Sequence, residues 1–382
     1  MREVSIVGIG QLPVQKQASH GLREMGAEAV RLALAEAGME PAQLQALYAS
    51  NMLADELQNQ KHIATLIADE AGLVGVEALE VRAATAAGAA ALRVAYLAVA
   101  SGQVETAVAV GVEQMSSGLV TSALAKALDA QREVPDGKTL LSQNAWLMHL
   151  YQTQYGVPEG GLANFPITAH ANAQHNPLAL FPDKPITAED VLASRLITPP
   201  LRLLDCAPIC DGAAAVILVP TAHARRYTDT PVQVIASATA TDRFRVADRP
   251  RPLQLVAAEL SAQRAFAQAG VGLADIGFFE LHDAFSIMAC LLLEAVGFAK
   301  AGEGWRMAAE GELALSGRLP IATLGGLKAR GHPIGATALY QTCEIVRQLT
   351  GRAGHNQLSN PRTALLQSVG GAAATVITHL FR

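Results

Sequence analysis

An internal repeat constrains this chain more than any other feature of it. The segment AEAGMEPAQLQALYAS, beginning at Ala35, has a counterpart, AQAGVGLADIGFFELH, beginning at Ala267, 232 residues later. Each reads as the end of a helix, a glycine stop, a short turn and a strand. A second echo pairs the helix after Gly88 with the helix after Gly335. Both close on a small hydroxyl residue plus glycine, Ser101-Gly102 and Thr350-Gly351. Solenoid repeats are far shorter than this, so the spacing implies a duplicated domain rather than a stacked array.

The units being duplicated are α/β. Val4 to Ile9 is a β-branched run, and Leu22 to Ala37 carries apolar residues at helical spacing. Leu44 to Ala49 reads as a strand, Ala87 to Ala100 as an alanine-rich helix, and Ala107 to Val112 as a buried strand. Between the halves, from about Ser116 to Pro200, the pattern changes. This stretch is rich in Gln, Asn, Pro and Gly and holds His149, His170 and His175. Long insertions of this kind in compact domains serve as lids or binding loops. The first half then resumes with DGAAAVILVP, a buried strand from Ala213 to Val219. The expected division is 1–225 for the first half, loop domain included, and 230–382 for the second.

Composition narrows the function. With 51% hydrophobic and 16% charged residues the chain can bury a large core, which excludes a disordered protein. The formal net charge is −5 and there is no basic run, so nothing points to nucleic acid. The opening MREVSIVGIG reads as a strand rather than a signal peptide. The weakly charged stretch Ala83 to Val104 reads as a buried helix rather than a membrane span. With no address or lipidation signal at HLFR, the cytoplasm is the expected compartment. Cys206, Cys210, Cys290 and Cys343 form no disulfide framework. Cys206 and Cys210 make an isolated C-x3-C without further ligands nearby, so free thiols are expected and no metal.

Three loops concentrate the chemistry. The first is RAATAAGAAAL, Arg82 to Leu92; the second ELHDAF, Glu280 to Phe285; the third GGLKARGHPIGAT, Gly325 to Thr337. The third crowds glycines around His332-Pro333, which brings backbone N–H groups close to a ligand and sets a histidine at a strand-to-helix junction. His332 reads as a general base, or as a capping residue in a packed turn. Thr85 and His332 are 247 residues apart, as are Gly88 and Gly335, so each precedes its helix by the same three positions. Two helix N-termini meeting there would favour an anion. His282 follows a strand's carboxyl end, where α/β proteins place ligands. It reads as an oxyanion-hole donor, or as a partner for Asp283 or nearby backbone. GIGQLP at Gly8 lacks the third glycine of a dinucleotide fingerprint and reads as a strand end.

These loops, with GVEQM at Gly111 and PLRLLDCAPICDGAAAVIL at Pro200, resemble the thiolase superfamily over residues 1–382. The similarity is greatest to its sterol-carrier-protein-type and archaeal-type branches, which use HDAF-like motifs. The resemblance implies a duplicated fold of two βαβαβαββ halves in five layers and a loop domain that helps bind coenzyme A. It also implies a CoA thioester as substrate or ligand with no tightly bound cofactor, a homodimer, and in some relatives a zinc-ribbon/OB-fold partner. By the same resemblance His332 matches the activating histidine and His282 the oxyanion-hole group. Gly325, Gly326, Gly331 and Gly371 are the glycines expected to border the ligand, with Ala372 beside the last.

The chain departs from that pattern where it matters most. Thr85 and Ala87 stand in Ala83–Gly88 where relatives carry the nucleophilic cysteine and a serine. Ala284 replaces a second catalytic cysteine, and Ala322 an asparagine. A thiol ionises near neutrality beside a histidine, whereas a threonine hydroxyl is a far weaker acid on a rotamer-restricted stem. Thr85 is therefore expected to fill space or cap the following helix, or else to orient substrate or attack it with help from a dedicated base. Rescue by a cysteine distant in sequence, such as Cys343, is a further reading. The functions that follow are an acyl-CoA enzyme making or breaking C–C bonds without a cysteinyl intermediate, by retro-Claisen cleavage or as an aldolase-like lyase working with a zinc-ribbon/OB-fold partner; a non-catalytic acyl-CoA-binding or scaffold subunit; or a threonine thiolase.

Overall fold

The computed structural model describes residues Met1–Arg382. The first half runs β1 (Val4–Gln11), α1 (Leu22–Glu36), β2 (Ala46–Ser50), α2 (Ala54–Leu57), α3 (Ile63–Glu70), β3 (Glu77–Val81), α4 (Ala87–Ser101) and β4 (Ala107–Gln114). An inserted segment follows with α5 (Val120–Ala125), α6 (Leu140–Tyr155), α7 (Asn164–Ala173), α8 (Ala188–Ala193), β5 (Leu196–Thr198) and β6 (Leu201–Arg202). The half is completed by β7 (Asp211–Pro220) and α9 (Thr221–Ala224). The second half comprises β8 (Val232–Thr241), α10 (Val256–Ala269), β9 (Phe278–Glu280), α11 (Ser286–Val296), α12 (Gly304–Ala309), α13 (Thr337–Leu349), β10 (Ala364–Gly370) and β11 (Thr375–Phe381).

The duplication is visible in the strand order β3-β2-β4-β7-β1-β8-β11-β10-β9. Read inward from either edge, each half has two parallel pairings followed by two antiparallel ones. In the second half the outermost strand is reduced to a parallel bridge from Phe279 to Ile321. The halves join where β1 meets β8, antiparallel, through only Ser5–Gln233 and Ile6–Val232. This is the duplicated α/β fold expected from the repeat, with the βαβαβαββ halves that the resemblance implies. The inserted segment reaches Cys210, about ten residues beyond the expected end at Pro200, because the strand that closes the first half begins only at Asp211.

Layering follows from side-chain size and pattern. α1 presents Leu22, Met25, Ala29, Val30 and Ala33, at spacings of three and four, to the outer face of the first half. α4 is alanine-rich and buried almost all round. Its small side chains let it lie in the middle of the molecule, touching α13 and strands of both halves, and α13 does the same. The chain from Ala84 to Ser101 is apolar and long enough to cross a membrane, yet it forms this central layer. α10 and α11 cover the outer face of the second half. Each fully buried Leu, Ile or Phe in these strata contributes about 1.5–3 kcal/mol relative to an exposed one.

The central layer sets up the site. α4 and α13 begin side by side, because Gly88 and Gly335 admit no side chain between them: a Cβ on Gly88 would lie 2.9 Å from the Gly335 carbonyl oxygen. β4 contributes a third glycine, Gly111, whose Cβ would sit 2.4 Å from that same oxygen. Both repeated loops therefore deliver their leading residues, Thr85 and His332, to one place.

Candidate active site

The two loops use the same backbone device. Ala84 (φ +49°) and Gly331 (φ +116°) both have left-handed φ and stand immediately before Thr85 and His332. Ala322 (φ +47°) and Ala373 (φ +63°), also left-handed without being glycine, flank the same region. Strain concentrated in this way is characteristic of positions that must hold a functional group against a site.

His332 is buried, with 7% of its surface exposed. Its Nδ1 lies 2.7 Å from the Thr337 hydroxyl, which in turn donates to the Pro333 carbonyl at 3.0 Å. With the hydroxyl proton on that carbonyl, Nδ1 carries the ring proton and Nε2 is free to accept; this assignment follows from the hydrogen-bond geometry. Burial, with His282 and Arg330 adding to it, holds the imidazole well below its usual pKa. His282 is 3% exposed and packs edge-to-face on His332, the ring centres 5.2 Å apart and the planes at 87°. Its Nδ1 is buried with no partner, and burial alone lowers its pKa to about 3. Asp283 does not satisfy it; that carboxylate accepts the Leu327 N–H at 2.8 Å. Two neutral imidazoles thus face each other.

Thr85 is buried in the same place but differently engaged. Its hydroxyl donates to the Val369 carbonyl at 2.6 Å and accepts from the Gly371 N–H at 3.2 Å. It makes no hydrogen bond to either histidine, and it does not cap α4, whose N-terminus has no side-chain cap. The expected helix-capping role is therefore corrected: the threonine ties the first loop to the turn between β10 and β11.

The expected anion site at the paired helix termini is likewise filled from within. Glu113 accepts from the Gly335 N–H at 3.0 Å and from the Met52 N–H at 2.9 Å. Its other oxygen accepts from Asn51 Nδ2 and the Leu53 N–H, while burial raises its pKa to about 7. The third loop is anchored by a one-turn π-helix, Gly326–Arg330. Arg330 pairs with Glu344 of α13 at 3.0 Å, both fully buried, and its guanidinium lies 4.9 Å from the centre of the Tyr340 ring. Lys328 is also buried and donates to the Asp205 carbonyl, in the fields of Asp283 and Asp205.

Thr85, His282 and His332 line one cavity of about 450 Å³, together with Ala284 and Gly371. Gly325, Gly326 and Gly331 are not part of its wall. A Cβ on them would meet Ala173, Asp283 and Val14 respectively, so their role here is close packing behind the histidine loop. Ala372 lies in the core beneath. Ala322, at the position of the expected asparagine, has its carbonyl held by Asn172 Nδ2 at 3.1 Å.

The four cysteines separate. Cys206 lines the cavity; burial pushes its thiol up to about 11 although Lys328 opposes the shift. Cys210 accepts the His332 N–H at 3.1 Å from behind. Cys290 and Cys343 are fully buried, the latter among the carbonyls of Gly10 and Ala215. Rescue by Cys343 is thus excluded by position, and no cysteine has the activated surroundings of a nucleophile.

Several contributors escaped the sequence reading. Glu113 was available as a lone acid in an otherwise apolar strand run, where a buried charge needs donors. Thr337 and the apolar wall from the inserted segment carry no local signature. At the cavity mouth Arg195 is exposed and its guanidinium has no partner within the chain.

Comparison with known proteins places these features. Residues 4–222 match the family model for the thiolase N-terminal domain, and residues 238–382 that for the thiolase C-terminal domain-like family. The chain is 41% identical to the acetyl-CoA acetyltransferase of Methanothermobacter thermautotrophicus over 382 residues, covering 100% of each. It is 28% identical to sterol carrier protein 2 of Gallus gallus, over 99% of this chain and 71% of that protein. Among solved structures, the Ltp2-ChsH2(DUF35) aldolase superposes with a TM-score of 0.87 at 26% identity, over 99% of this chain and 97% of that one.

Proposed function

From the premise that this chain belongs to the thiolase family, we propose that it makes or breaks a C–C bond at a CoA thioester by proton transfer alone, with no acyl-enzyme. The observation that carries this reading is the pair of neutral, buried histidines facing each other beside a threonine whose hydroxyl is spent on backbone.

In this reading the thioester carbonyl lies against His282, whose ring N–H donates to its oxygen as negative charge develops there. His332 Nε2 is the base. Retro-aldol cleavage of a 3-hydroxyacyl thioester fits these groups because it needs no nucleophile. His332 takes the hydroxyl proton, the bond between the α and β carbons breaks, and its electron pair becomes the thioester enolate. The imidazolium then protonates the α carbon. The products are a carbonyl compound and a shortened acyl-CoA, and no proton is gained or lost overall. Burial makes both rings weak bases, and the enolate's charge offsets that penalty. Arg195 at the mouth supplies a free cation toward the phosphates of coenzyme A.

A second reading, a subunit that works only with a partner, is favoured by one observation: the structural relative is an aldolase named together with a DUF35 protein. A zinc-ribbon/OB-fold partner and a homodimer belong to this proposal. The test is to incubate the protein with a panel of 3-hydroxyacyl- and 3-ketoacyl-CoAs and follow products and intact protein mass. Cleavage of hydroxyacyl thioesters without a mass increase is expected. A stable acyl adduct, or thiolysis abolished by Thr85→Ala, would overturn the non-covalent mechanism.

A further inference from the structure

α13 carries a polar face through the middle of the molecule. Thr337, Gln341, Glu344 and Gln348 follow one another at spacings of four, three and four, which puts them on one side of the helix, and all are fully buried. Thr337 holds His332 Nδ1, as described above. Gln341 donates its amide at 2.8 Å to the carbonyl of Leu281, the residue directly before His282. Glu344 accepts from Arg330 Nε at 3.0 Å, and Arg330 Nη1 donates at 2.9 Å to the carbonyl of Gly331, the residue directly before His332. At the far end Gln348 donates to the Asn356 carbonyl at 2.9 Å, and Asn356 Nδ2 donates to the Thr323 carbonyl at 2.7 Å. The Thr323 hydroxyl in turn donates at 2.7 Å to Glu280, which precedes His282 by two residues as Arg330 precedes His332.

Such a face is costly as mere packing. Gln341 Oε1 and Glu344 Oε2 are buried with no hydrogen-bond partner, so each loses its hydration without return. A buried ion pair replaced by well-packed apolar side chains leaves a fold as stable or more so in many cases. Stability alone therefore does not account for these groups. Both histidines sit on loops, and each loop is pinned one residue ahead of its ring, by Gln341 directly and by Glu344 through Arg330. Resting on the histidine chemistry proposed above, we propose that Gln341 and Glu344 are positioning residues, which make α13 the common reference that sets the spacing and angle of the His282–His332 pair. Neither touches the cavity; each acts through a backbone carbonyl next to a histidine.

The experiment compares the full native chain with Gln341→Leu, with the double variant Arg330→Met plus Glu344→Leu, and with Glu344→Gln, which keeps an acceptor for Arg330 Nε. Gln341→Met stands in should the leucine variant not fold. Three quantities are read: cleavage of a 3-hydroxyacyl-CoA, the urea midpoint, and the nuclear Overhauser effect between the two imidazoles in histidine-labelled protein without substrate. In Gln341→Leu and the double variant kcat is expected to fall at least about tenfold with KM little changed, since a displacement of about 1 Å costs about 100-fold. The inter-ring signal weakens in both, the double variant keeps a urea midpoint at or above native, and Glu344→Gln recovers most of the rate that the double variant loses. Native kcat and a native inter-ring signal in the folded variants would overturn the proposal. A double variant that no longer folds would also overturn it for Glu344, by showing that the pair holds the fold rather than the site. Should the native protein cleave no 3-hydroxyacyl-CoA, the proposed chemistry fails by itself, and the inter-ring signal decides the positioning role: weakened upholds it, unchanged overturns it.

Discussion

The loop before α4 and the loop before α13 are the same construction put to different use. Each has a left-handed residue, then a side chain aimed at the centre, then a glycine three positions on that lets the two helices meet. In the second loop the side chain is a histidine held through one ring nitrogen by Thr337, so the other is free for chemistry. In the first it is a threonine whose oxygen is bound on both sides by backbone of the β10–β11 turn. The difference teaches that a reactive position is defined by which hydrogen-bonding capacity is left over, and not by where its Cα stands.

The sharpest way to break the comparison is to remove each side chain in turn. His332→Ala is expected to lower the cleavage rate by about 10²–10⁴-fold with little change in stability, the ordinary scale for a general base. Thr85→Val should do the converse. Activity falls less than tenfold, while stability drops by about 1–3 kcal/mol, since the Val369 carbonyl and Gly371 N–H lose their partner. Rates and urea midpoints on both variants decide the matter; a rate collapse in Thr85→Val would show that the first loop is chemically active after all.

The next effect tests the shared glycine seam. Gly335→Ala would place a Cβ 2.7 Å from the Asn51 Cα and 2.9 Å from the Ser50 carbonyl, backbone atoms that cannot step aside. A loss of about 3 kcal/mol in denaturant unfolding is expected. Gly88→Ala, with its nearest contact at 2.9 Å and the next at 3.3 Å, should cost less.

A smaller effect is read in pH. As pH falls below about 6.5 the unfolded chain protonates at position 282, while the folded imidazole stays neutral until about 3. The unfolded state then binds more protons, so stability is full above that window and declines as pH drops through it. His282→Gln should flatten the pH dependence of unfolding free energy by about 1.4 kcal/mol per unit between pH 6 and 4. An unchanged slope would mean that the ring is already protonated in the fold.

The smallest prediction concerns strain. Ala84→Gly should stabilise the protein by up to about 1 kcal/mol, because glycine carries no penalty at φ +49°. A loss of stability on thermal melting would show that the Ala84 methyl group does more by packing than its backbone costs.

Much of this was legible in the sequence. The repeat fixed a duplicated α/β fold, since two matching helix–turn–strand units cannot bury their faces unless each half folds alike. Apolar periodicity located α1, α4 and the buried strands to within a few residues, and the glycine-dense loop around His332 marked the site. Tertiary structure decided what each polar atom does. The carbonyl that takes the Thr85 proton is 284 residues away, and the carboxylate that fills the α13 terminus comes from β4, 222 residues before Gly335. Part of the cavity wall, including Val120, Leu124, Leu140 and Leu141, is drawn from an insertion with no counterpart in the second half. Local pattern records which face of an element is apolar, because neighbouring residues share that burden. Hydrogen-bond partners across hundreds of residues are chosen only when packing brings the segments to within 3 Å of one another.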